Sequence, residues 1–191
     1  MVVLEMIVLP GHKLVYVSVP KAGTHTMFRI LQAIGGVKQD GPFHRKAVPL
    51  ECRGEGWRTF TVVRDPYTRV ASAWHHLTKR AYYPEIWLPH IGGPGFDTFL
   101  DYLLTGNLLG ARGNAVAIPQ HEWLAEVDTW KALHLEDVGE QLREIGIDVP
   151  DVPNAFHAKY KHPDLTPERI DKINQWAGKD FVQYGYPRRL R

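Results

Sequence analysis

Cysteine occurs once in the 191 residues, at Cys52, so no intramolecular disulfide can form and a cysteine-based zinc site has no ligand set. A reducing compartment fits that count. Long apolar runs are also missing. The first, residues 2–9, is interrupted by Glu5 and ended by Pro10-Gly11. It has neither the charged start of a signal peptide nor the length of a membrane span, and reads as a buried strand of a soluble, cytoplasmic protein. Charge of one sign is scarce too: Lys+Arg number 23 against Asp+Glu 21, a formal net charge of +2. That balance lacks the dense positive field of non-specific nucleic-acid binders, so any anionic ligand has to be held by local groups. Repeats, low-complexity tracts and linkers are absent, as are a His-Glu-x-x-His run and any His/Cys cluster at metal-ligand spacing. No metal is expected.

What is present is a globular composition, 44% hydrophobic and 23% charged, which places the chain outside the disordered class and, at this length, predicts one domain over residues 1–191. Leu14-Val15-Tyr16-Val17-Ser18-Val19 is apolar, rich in β-branched residues and stopped by Pro20, the pattern of a core strand. After Lys21-Ala22-Gly23-Thr24, apolar residues recur at Met27, Ile30, Leu31 and Ile34, the spacing of an amphipathic helix closed by Gly35-Gly36. A second strand, Thr59-Phe60-Thr61-Val62-Val63, precedes Asp65-Pro66 and helical spacing at Tyr67, Val70, Ala71 and Trp74. Strand, loop and helix, twice in succession, predict an α/β fold whose central parallel sheet is flanked by helices in three layers. Ligands then bind beyond the carboxyl ends of the strands. Residues 79–95 show no sustained period and read as an exposed loop region. A helix is expected over Phe96–Leu104, two helical stretches within 120–145, and a last helix from Thr166-Pro167 through Ile170, Ile173, Ala177, Phe181 and Tyr184.

The first loop, Pro20-Lys21-Ala22-Gly23-Thr24-His25-Thr26, lies between a strand end and a helix start, where first-turn N–H groups and the helix dipole favour an anion. Lys21 adds a full charge, Gly23 lets the backbone approach closely, and the Thr24 and Thr26 hydroxyls add donors. A plain structural reading makes Thr24 a helix cap and Lys21 a solvated loop charge. The loop is not a Walker A motif, in which the lysine follows the second glycine. In the second loop, Val63-Arg64-Asp65-Pro66-Tyr67-Thr68-Arg69-Val70-Ala71-Ser72, Arg64 offers a planar fork to a phosphate and Ser72 a hydroxyl two helical turns later. An ion pair of Asp65 with Arg64 or Arg69 is the structural alternative. Arg69 itself reads as structural.

Together the two loops resemble the sulfotransferases of the carbohydrate type. Their Pro-Lys-x-Gly-Thr-x-Thr/Ser motif is the 5′-phosphosulfate loop, and their Arg-Asp-Pro-x-x-Arg-x-x-Ser motif binds the 3′-phosphate. The ending Asp180-Phe181-Val182-Gln183-Tyr184-Gly185-Tyr186 is similar to that family's C-terminal segment. The resemblance implies a P-loop NTPase-like sulfotransferase fold and a donor, 3′-phosphoadenosine 5′-phosphosulfate (PAPS), that leaves as the 3′,5′-bisphosphate PAP. It places Lys21, Ala22, Gly23, Thr24, His25 and Thr26 around the 5′ end, and Arg64 and Ser72 on the 3′-phosphate. Residues 154–161 fall where relatives have a loop over the nucleotide, which makes His157, Lys159 and Lys161 candidate donor contacts or solvated charges.

Sulfuryl transfer to an alcohol needs a base for the hydroxyl proton and positive charge where the leaving oxygen develops its own. Lys21 supplies the charge. By the resemblance, His44 is the base, lying between the motifs where relatives carry theirs; a histidine with an ordinary pKa near ~6.5 accepts a proton without strong tuning. His25, then His75 and His76, are its rivals, and Asp97, Asp101, Glu122 and Asp128 are acids without a motif. The expected acceptor is a small molecule or glycan carrying a hydroxyl. The aromatic stretch from Tyr82 to Trp87, with His90, either stacks on that acceptor or caps the core. A nucleotide-dependent phosphotransferase and a catalytically silent nucleotide-binding module are the alternatives, and oligomeric state is not legible.

Overall fold

The computed structural model describes residues 6–39, 52–80, 88–89, 91–105, 114–149 and 162–190. In chain order the elements are β1 (Met6–Leu9), β2 (Leu14–Val17), α1 (Thr24–Ala33), β3 (Val37–Gln39), β4 (Arg58–Val63), α2 (Pro66–His75), α3 (Phe96–Leu104), α4 (Gln120–Trp123), β5 (Lys131–His134), α5 (Val138–Glu144), α6 (Pro167–Trp176) and α7 (Gly178–Tyr184). They fall into two compact units, Met1–Arg64 with Trp123–Ala158, and Asp65–Glu122 with Lys159–Arg191.

The first unit holds the whole sheet, ordered β3-β1-β2-β4-β5. β2, β4 and β5 are parallel neighbours, whereas β1 is antiparallel to both β2 and β3. The all-parallel sheet expected from sequence is therefore corrected to a mixed one. The reason lies in chain length: a 3-10 turn at Pro10–His12, closed by Lys13 at φ 50°, joins β1 to β2, and a parallel pair needs a crossover of a dozen or more residues. β2 to α1 to β3 is a true crossover, and four of the five strands run the same way.

β1 and β2 are buried along their whole length, which is why they read as continuous apolar runs rather than alternating ones. Their Ile7, Leu9, Leu14 and Tyr16 join Phe60, Val62 and Leu133 against Met27, Ile30 and Leu31 of α1 and Val138 and Leu142 of α5. Burying side chains of this size contributes roughly 1.5–3 kcal/mol each, so this packing fixes the plane from which the loops project. β5 was not expected from sequence. Its four residues, Lys-Ala-Leu-His, bury only Leu133 fully and carry no period of their own.

In the second unit Asp65 caps α2, its carboxylate accepting from the Thr68 N–H at 2.8 Å, with Pro66 in the first turn. α3 forms over the span expected from sequence. The single last helix expected from sequence is corrected to two, α6 and α7, divided at Ala177, where φ −100° and ψ 20° leave the helical range. The exposed loop expected over residues 79–95 is also corrected in part. A π-helical turn over His76–Arg80 continues α2, and Ile91 is buried. Tyr82, Tyr83, Trp87 and His90 lie outside the described residues.

Candidate functional site

β2 and β4 run parallel with Val17 opposite Thr61, so their carboxyl ends open on one edge of the sheet. The loop bearing Lys21 follows β2 there, and Arg64 follows β4. Four side chains donate to the carbonyls of this segment. The Thr61 hydroxyl donates to Val17 O at 2.8 Å, the Trp123 indole N–H to Ser18 O at 2.9 Å, the Thr24 hydroxyl to Val19 O at 3.1 Å and Arg64 Nη1 to Lys21 O at 3.2 Å. The Ala22 N–H closes a turn onto Val19 O at 3.1 Å. These bonds hold the carbonyls of Val17, Ser18, Val19 and Lys21 in place.

Two residues of the loop adopt left-handed backbone, Lys21 at φ 68° and Gly23 at φ 80°. For a lysine this costs on the order of 1–2 kcal/mol, so surrounding bonds must hold it. Gly23 has a second constraint, since a Cβ there would stand 2.5 Å from Leu135 Cδ1. The backbone conformation favours glycine, and any side chain there would also displace the Leu135 side chain. Ala22 is fully buried beneath the loop. The first helical bond of α1 runs from the Met27 N–H to Gly23 O at 2.9 Å, which places residues 24–26 in the first turn, where N–H groups have no intrahelical acceptor. A Lys21 ammonium, a helix N-terminus and the Arg64 guanidinium are thereby collected by one unit.

Of the candidates named from sequence, Lys21, Ala22, Gly23, Thr24, His25, Thr26 and Arg64 all belong to this edge of the first unit. His25 is exposed, and the Thr24 hydroxyl is committed to Val19 O. Thr24 is the first residue of α1 and Gly23 its cap, so the plain reading of Thr24 as the cap is corrected. Ser72 is buried on α2 of the second unit, and His75 and His76 are half-buried at that helix's end. His44, His157, Lys159 and Lys161 lie outside the described residues. Thr61, Trp123 and Leu135 were missed from sequence: each supports the loop from a distant segment, and no motif marks them.

A model described as the sulfotransferase family matches residues 4–131, a span that includes the Lys21 loop, Arg64 and Ser72. The chain belongs to the sulfotransferase family. No curated protein and no solved structure matches it.

The C-terminal segment of this sulfotransferase has a structural task. Asp180, fully buried, accepts from the Gln120 and His121 N–H groups at 2.9 Å each, and His121 Nδ1 lies 2.7 Å from it. Gly185 at φ 69° then ends α7. Arg69, read as structural, is fully buried and donates from Nη2 to Ile118 O at 2.8 Å. Burial pushes the Tyr67 and Tyr184 hydroxyls above the ordinary phenol range, with the Asp180 charge adding to the effect at Tyr184, so both stay protonated. Asp97 and Asp101 are taken by Arg169 and Lys172 at 2.7 and 2.6 Å. Among the described residues, no helix is long and apolar enough to cross a membrane, and no group of three His, Cys, Asp or Glu could hold a metal ion.

Proposed function

We propose that this sulfotransferase moves the sulfuryl group of PAPS to a hydroxyl of a carbohydrate or small alcohol and releases PAP. The observation that carries the reading is the bond from Arg64 to the Lys21 carbonyl, which joins the two family motifs at one sheet edge. A left-handed Gly23 that caps α1, beside a lysine and a helix N-terminus, fits an anionic phosphosulfate. In transfer, the acceptor oxygen bonds to sulfur as the sulfur to bridging-oxygen bond breaks. Lys21 and the first-turn N–H groups of α1 offset the charge that collects on the bridging oxygen. Arg64 and Ser72 hold the 3′-phosphate, a role the family motif suggests for Ser72. His44 takes the hydroxyl proton, again on the strength of the resemblance. The mixed sheet with a strand, loop and helix at its parallel edge supports a three-layer, P-loop NTPase-like architecture.

Calorimetric titration with PAP, ADP and magnesium ATP tests this function. The expected result is tight binding of PAP alone, lost in Arg64→Ala and weakened in Ser72→Ala. A preference for magnesium ATP would overturn it in favour of a phosphotransferase. Tight PAP binding without product on any hydroxyl acceptor would favour a silent nucleotide-binding module.

A further inference from the structure

We propose that Arg64 is also a positioning residue for Lys21, so that the side chain assigned to the 3′-phosphate sets the conformation of the loop assigned to the 5′-phosphosulfate. The inference rests on the donor reading above and deepens it. Lys21 holds a left-handed backbone, φ 68°, without being a glycine. Such a conformation persists only where its surroundings over-determine it. The donors on the carbonyls of Val17, Ser18 and Val19 are neutral groups, two hydroxyls and an indole. The donor on the Lys21 carbonyl is a guanidinium at 3.2 Å, the charged donor among these four, and it acts on the carbonyl of the strained residue itself. A guanidinium presents five N–H donors in one plane, so one side chain can grip the Lys21 carbonyl and a phosphate together. Arg64 thereby helps aim the Lys21 ammonium as well as reading the nucleotide's 3′ end.

The test separates the two roles by the ligand. Wild type, Arg64→Ala and Arg64→Lys are titrated with PAP and with adenosine 5′-monophosphate, which has no 3′-phosphate to read. If Arg64 positions Lys21, the monophosphate weakens by about tenfold in both variants, the effect of one charge-assisted bond, and PAP weakens further. Arg64→Lys keeps the charge but not the fork, so a loss confined to Arg64→Ala would assign the effect to charge alone and overturn the proposal. Monophosphate affinity within about twofold of wild type in both variants would also overturn it, while a simultaneous loss of PAP binding would leave the donor reading standing. Conversely, a monophosphate loss in a protein that does not prefer PAP over ADP would keep the clamp and sink the donor reading. Amide hydrogen exchange of the ligand-free protein decides the matter if the monophosphate binds too weakly to titrate. Exchange across residues 18–26 should quicken in Arg64→Lys while β2 and β4 stay protected, and unchanged exchange would overturn the proposal.

Discussion

The indole N–H of Trp123 donates to the Ser18 carbonyl at 2.9 Å across 105 residues of sequence. Both groups are buried, so this bond has no water to replace it. Trp123→Phe leaves the Ser18 carbonyl without its donor, a loss of about 1–3 kcal/mol. Urea unfolding should show that loss, and PAP affinity should fall with it, because the orphaned carbonyl belongs to the loop that carries Lys21.

Gly23→Ala combines a left-handed backbone at φ 80° with a Cβ placed 2.5 Å from Leu135 Cδ1. The backbone part costs about 1–2 kcal/mol and the clash adds to it. Thermal unfolding and PAP titration should both register the change. The double variant Gly23→Ala, Leu135→Ala should recover PAP affinity in part, since it relieves the clash but not the conformation.

The α/β class, the strands β2 and β4, the helices α1 and α3, and the Lys21 loop were legible because each is written locally, in apolar spacing or in Gly and Pro punctuation. The antiparallel β1 was legible too, though it was not read that way: a Pro-Gly turn leaves no room for a crossover. β5 was illegible because Lys131 and His134 flank a single fully buried leucine. Trp123, Thr61 and Leu135 were illegible for another reason. Their value lies in which carbonyl or Cα they meet, and that is set by tertiary packing rather than by neighbours in sequence. The C-terminal Asp180 was visible as part of a motif, but its work as a buried acceptor was not.

Asp180 accepts from two backbone N–H groups and lies 2.7 Å from His121 Nδ1, all from a fully buried position. Asp180→Ala should cost about 3–5 kcal/mol in chemical unfolding, because it strands several buried partners at once. Asp180→Asn keeps one acceptor oxygen and should cost less.

Arg169 grips Asp97 with two bonds of 2.7 Å, and these hold the Asp97 carboxyl below the ordinary carboxylate range. A depressed folded-state pKa stabilises the fold above the unfolded value near ~3.9, and that contribution is lost as pH falls through the lower folded value. The Asp97 side chain is 58% exposed, so water screens the pair. Asp97→Asn should therefore cost under about 1 kcal/mol at pH 7. Unfolding measured down through acid should show wild type and variant converging, and added salt should narrow the gap at pH 7 as well.

The unit that holds the Lys21 loop is discontinuous in sequence, closing only with the segment that begins at Trp123. On the ribosome the loop is therefore made early and finished late. At roughly 5–20 residues per second, Trp123 is synthesised about 5–20 s after Ser18, and β5 and Leu135 follow it. From the synthesis of β4 until that of β5, about 70 residues later, the nascent β4 has no partner at that edge. The Lys21 loop is in that sense finished only with the nearly completed chain.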